Sequence, residues 1–156
     1  MANTGLQARA TQRPAHRDDA ALLTALAGML GLQEESARRF AGSGRLQLDG
    51  IELALHTNDP SSQRPQWIAE ATLPCPPRVD RSTWHDALLV VNEAAMISGE
   101  WGFTVDDDGS ASLLMRVAES MRTPACLRAV LEGMYDLCSA VRAGASALPA
   151  SQGVSQ

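Results

Sequence analysis

The densest run of chemical groups in this chain is Asp106-Asp107-Asp108-Gly109, and clustered carboxylates hold calcium or magnesium when their oxygens converge. Convergence is not favoured here. Successive residues of an extended segment point to opposite faces, and the twelfth position of a calcium loop starting at Asp106, which needs a bidentate Glu, is Val117 followed by Ala118. A solvated hairpin tip explains the run better than a metal-dependent enzyme using Asp106, Asp107 and Asp108. His85 beside Asp86, with Ser82 or Ser98 nearby, suggests acid–base or nucleophilic chemistry, yet helix neighbours do not face each other and no G-x-S-x-G elbow occurs. Ser82 is better used as a helix cap. No catalytic residue emerges, and the expectation is a protein that is not an enzyme.

Cys75, Cys126 and Cys138 form an odd set without C-x-x-C spacing, and His16, His56 and His85 stand singly. Neither a disulfide framework nor a zinc site is expected, and no metal or cofactor is implied. Cys126 and Cys138 read as small apolar residues of one helix, with Cys75 in a proline-rich loop.

All 13 basic residues of the 156-residue chain are arginine. Without lysine there is no Schiff-base chemistry and no phosphate-binding P-loop. Residues 1–17 carry a charge of +3, whereas residues 18–156 carry −8. An acidic body repels a phosphate backbone, so nucleic acid is not an expected partner. No signal-peptide core and no run of about twenty apolar residues occurs, which points to a cytoplasmic protein with no membrane span.

These residues must be positioned by elements that the hydrophobic pattern outlines. Residues 1–17 and 144–156 are polar and without period, and are expected to be a disordered basic arm and a disordered tail around one folded domain, 18–143. Leu22, Leu23, Leu26, Met29 and Leu30 recur at helical spacing between the caps Asp18 or Asp19 and Gly31. A polar joint with Gly42 and Gly44 follows. Leu46 and Leu48, then Ile51, Leu53 and Leu55, alternate around Asp49-Gly50 as a strand pair. Asn58 to Pro65 reads as a loop, Trp67 to Leu73 as a third strand ended by Pro74, Pro76 and Pro77.

A long helix capped by Ser82 places Trp84, Leu88, Val91 and Ala95 on one stripe, widened by Leu89, Val90 and Met96. A helix that is apolar on more than one side usually has more than one partner. Trp101 to Val105 and Ala111 to Ala118 form a hairpin, and Thr123-Pro124 starts a last helix with Leu127, Val130, Leu131, Met134, Leu137, Cys138 and Val141 inward. The order α-β-β-β-α-β-β-α predicts an α+β domain with three helices on a twisted antiparallel sheet. Asn92, polar in an apolar stretch, either positions a neighbouring backbone, meets a dimer mate or faces solvent. Trp84 is assigned to an interface and Trp101 to the core.

The leucine-rich segment Leu22 to Leu32, the strand pair Leu46 to Leu55 around Asp49-Gly50, and Leu88-Leu89-Val90-Val91-Asn92 resemble, in this order, the type III secretion chaperones of the Tir-chaperone family. The arginine-bearing arm is similar to that of the broad-specificity export-control chaperones of plant-pathogenic bacteria, the HpaB kind. The resemblance covers residues 18–143. It implies a small acidic cytoplasmic homodimer that binds secreted effector proteins, partly unfolded, and promotes their export, with the export ATPase or other secretion components as further partners. By position it implies dimer contacts at Trp84, Leu88, Val91, Asn92 and Ala95, and effector contacts at Leu22, Leu26, Met29, Leu113 and Met115. A regulatory adaptor of the same fold, masking a partner protein without accompanying secretion, is the alternative.

Overall fold

A computed structural model describes residues 17–58 and 65–147. The expected basic arm up to residue 16, most of the loop after Asn58 and the tail from residue 148 lie outside the described residues. Within them the chain runs α1 (Arg17–Met29), α2 (Glu34–Ser43), β1 (Arg45–Leu48), β2 (Ile51–Thr57), β3 (Trp67–Leu73), α3 (Arg81–Ser98), β4 (Trp101–Val105), β5 (Ala111–Val117), a 3₁₀ turn (Glu119–Met121) and α4 (Pro124–Ala147). The fold is α+β, and its five strands pair antiparallel in the order β1-β2-β3-β5-β4.

Four helices stand where the pattern predicted three. The polar joint after Gly31 is α2, with the exposed (i, i+4) pairs Glu34–Arg38 and Glu35–Arg39 on one side and Phe40 buried on the other. With a single large apolar side chain among ten mostly charged and polar residues, the segment reads as a polar joint. Gly44 ends this helix at φ 67°, and a Cβ there would sit 2.4 Å from the Leu55 carbonyl oxygen, so only glycine fits.

Asp49 (φ 49°) and Gly50 (φ 77°) make the left-handed two-residue turn between β1 and β2. Helix α4 clamps it: Tyr135 Oη donates to Asp49 Oδ2 at 2.5 Å and Arg142 Nη1 to the Asp49 carbonyl at 2.7 Å. α4 also continues to Ala147 and buries Ala145, so the ordered domain passes the expected boundary at residue 143.

The pleat sorts the sheet into two faces. Ile51, Leu53, Leu55, Trp67, Ala69, Ala71, Leu73, Leu113 and Val117 join Leu23, Leu26, Leu88, Leu127, Leu131 and Met134 in one core beneath the helices. The other face carries Glu52, His56, Glu70, Thr72 and Ser112. There His56 Nε2 lies 3.0 Å from Glu70 Oε2, and Thr72 Oγ1 lies 3.0 Å from Ser112 Oγ.

Asp80, not Ser82, caps α3. Its carboxylate accepts from the Thr83 backbone N–H at 2.9 Å and from the hydroxyls of Ser82 and Thr83, and these bonds hold its pKa well below the usual carboxylate range.

Candidate functional site

A groove opens where the first half of α4 passes the end of β5. Trp101 from β4, Leu113 and Met115 from β5, Met121 from the 3₁₀ turn, and Cys126, Val130, Met134 and Leu137 from α4 line a cavity of about 430 Å³. That volume falls within the range of ordinary ligand pockets. The apolar period of α4 turns Val130 and Met134 towards the sheet, while Gly133 leaves part of the rim without a side chain. Three of the lining residues are methionines, whose unbranched thioethers re-pack against differently shaped partners.

The expected effector-binding residues divide between two places. Leu113 and Met115 line the groove, Leu113 as its almost fully buried floor. On α1, Leu26 is fully buried in the core, Leu22 is half-buried against it and Met29 is exposed, and none of the three lines the groove. One site made from both sets is therefore not assembled. Met121, Cys126, Gly133, Met134 and Leu137 complete it instead. The amphipathic stripe already contained Met134 and Leu137. Gly133 in the middle of a helix was the overlooked signal, because it costs helix stability unless space is wanted there.

The residues expected at a dimer interface face the chain's own core. Trp84 is 0% exposed, Leu88 and Ala95 are 2% exposed, and Val91 packs on the same core. Trp84 Nε1 donates to the Gly109 carbonyl at 3.0 Å, which ties α3 to the β4–β5 turn. Trp84 belongs to the core and not to the interface assigned from sequence, while Trp101, assigned to the core, packs partly buried against it and also lines the groove. The solvent side of α3 carries Leu89, Val90, Met96 and Ile97, exposed by 64% to 89%. A large apolar side chain at such exposure keeps nearly all of its hydration penalty, and four on one helix make a patch that favours covering.

Asn92 turns to its own sheet. Its Nδ2 donates to the Phe103 carbonyl at 2.9 Å and its Oδ1 accepts from the Phe103 N–H at 2.7 Å. Both backbone groups point away from β5, so the amide closes the β4 edge at its middle residue.

Among the described residues the ionisable groups do not converge on one site. Ser110 N donates to Asp108 Oδ1 at 2.8 Å and Gly109 N to the Asp106 carbonyl at 2.9 Å, so Asp106 to Ser110 is a self-bonded turn. Among the described residues no three His, Cys, Asp or Glu side chains are grouped to hold a metal ion. All three cysteines are free thiols, and burial pushes the Cys138 thiol up to about 12. The His56 hydrogen bond is the main cause holding the Glu70 carboxyl below its ordinary value, against the opposing effect of burial. No helix among the described residues is long and apolar enough to cross a membrane.

The fold and its surfaces define a small α+β protein whose most distinctive features are apolar contact surfaces. No family model, no curated protein and no solved structure matches this chain.

Proposed function

We propose that this chain is a cytoplasmic chaperone of the type III secretion kind, which holds effector proteins in a partly unfolded state and promotes their export. The observation that carries the reading is the methionine-lined groove between α4 and β5. An unfolded segment presents apolar side chains that a folded domain would bury, and a groove of adaptable side chains holds such a segment without recognising a fold. Ordering the segment costs conformational entropy, so extended contact is needed for moderate affinity. The chaperone hands its cargo to the export ATPase or another secretion component, and the absence of a P-loop in its sequence suits a protein that leaves nucleotide hydrolysis to that partner.

The working unit is a homodimer joined through the solvent side of α3, where Leu89, Val90, Met96 and Ile97 stand exposed. Light scattering on the full chain is expected to give twice the monomer mass of 16.6 kDa. Ile97→Glu, at an 89% exposed position, is expected to give folded monomers whose melting temperature no longer rises with protein concentration. A monomeric wild type that retains no secreted protein on purification from its own cell refutes the proposal. A partner folded throughout, with secretion normal after deletion of this chain, would point instead to an adaptor that masks a regulator.

A further inference from the structure

The apolar groove does not end at Met121. A second depression of about 430 Å³ shares Trp101, Met115 and Met121 with it and reaches Glu100 and Arg116. A third, of about 580 Å³, shares Arg116 and Ala118 with the second and is walled by Arg122, Glu119 and Pro65. Through these shared residues the three adjoin in series as a trough that passes round β5, where Met115 and Arg116 face opposite sides of the sheet, apolar at the α4 end and charged at the other.

At the charged end the guanidinium groups of Arg116 and Arg122 are accompanied by the carboxylates of Glu119 and, beside Arg116, Glu100. Arg116 is exposed and has no hydrogen-bond or ion-pair partner among the described residues. Arg122 lies over Trp67, 5.7 Å from the ring centroid, and donates from Nη2 to the Pro65 carbonyl at 3.2 Å. Its Nε is buried and has no acceptor among the described residues. The Trp67 ring and the Pro65 carbonyl hold this guanidinium in place, so a carboxylate arriving there meets a donor already oriented. This arginine pair supplies oriented donors on a body whose charge is −8 over residues 18–156.

We infer that the trough selects partner segments in which a run of apolar residues adjoins Asp or Glu side chains, the apolar run lying in the methionine-lined groove and the carboxylates meeting Arg116 and Arg122. This rests on the chaperone reading and adds a sequence preference to it. A small anion would use only the arginines, and an apolar small molecule only the groove. A polypeptide segment with both features uses the whole trough. Arginine suits the charged end because its planar fork takes a carboxylate through two parallel N–H bonds.

The test is fluorescence anisotropy on the full chain with two labelled, C-terminally amidated peptides that share a leucine–methionine run and end in either aspartates or lysines. The aspartate peptide is expected to bind about tenfold more tightly at low salt. That preference is expected to shrink at about 0.5 M salt, where screening is strong. Arg116→Glu is expected to reverse the preference, and its exposed position makes unfolding an unsuitable explanation. Gly133→Trp fills the apolar end at a position where an added Cβ meets nothing within 4 Å, and it is expected to weaken both peptides. If both peptides bind equally, or the lysine peptide binds better, while Gly133→Trp still abolishes binding, the carboxylate preference is overturned and the groove reading stands. If neither peptide binds, or Gly133→Trp changes nothing, both fall together.

Discussion

Trp84 fills the core with its ring and also closes the Asp106–Ser110 turn with its indole N–H. Trp84→Phe keeps most of the apolar contact but leaves the Gly109 carbonyl without its donor, and is expected to cost about 1–3 kcal/mol in urea unfolding. Trp84→Ala adds a cavity, for a loss of about 3–5 kcal/mol. An unchanged midpoint for Trp84→Phe would remove that hydrogen bond from the account. Glu70 makes a pH-dependent contribution. Its folded-state pKa lies below the reference value of 4.5, so its stabilising effect is fully present above that pH and is lost as pH falls through the folded value. Melting curves from about pH 6 to pH 3 are expected to show wild type more stable than Glu70→Gln at the upper end, with the difference closing at the lower. A constant difference across that range would contradict the His56–Glu70 bond as its source. At this scale sequence reading was least informative. Periodicity placed Trp84 and Trp101 in the correct elements, but it could not show that Trp84 faces the Gly109 carbonyl or that Trp101 faces the groove, since both depend on distant segments.

At the scale of elements, Asn92 links α3 to the sheet by satisfying both backbone groups of Phe103. Asn92→Ala is expected to destabilise the fold by about 1–3 kcal/mol and to raise concentration-dependent association, because the β4 edge then offers an unpaired N–H and C=O to another chain. Analytical ultracentrifugation reads the second effect, and unchanged sedimentation would show that the amide does not guard the edge. The strands were legible because Leu46 to Leu55 alternate around Asp49-Gly50 and because prolines punctuate the end of β3. α2 was not, since Phe40 is its only buried side chain and its charged pairs look like a solvated linker. The apolar breadth of α3 was legible from Leu89, Val90 and Met96. Which side met the core was not, because a helix apolar on two sides gives no direction to its inward face.

At the scale of the whole molecule, the sequence locates negative charge on the domain and withholds lysine-dependent chemistry, and the structure adds where apolar surface remains uncovered. Among the described residues two such surfaces stand out: the solvent side of α3 and the groove between α4 and β5. A chain that folds while leaving both exposed gains from partners that cover them. One surface is assigned to a second copy and the other to an unfolded cargo segment. The groove was half legible: Leu113 and Met115 were expected, whereas Met121 and Cys126 come from the connection after β5 and the start of α4, where tertiary packing alone brings them beside the sheet. The most direct test of the cargo assignment is photo-crosslinking in the native cell from a photoreactive residue at position 133, with mass spectrometry of the linked peptides. Cross-links are expected to segments of secreted proteins that lie outside their folded domains, absent when the same residue is placed at exposed Ser146, on another side of α4. Equal cross-linking from both positions, or links confined to folded regulators, would contradict it.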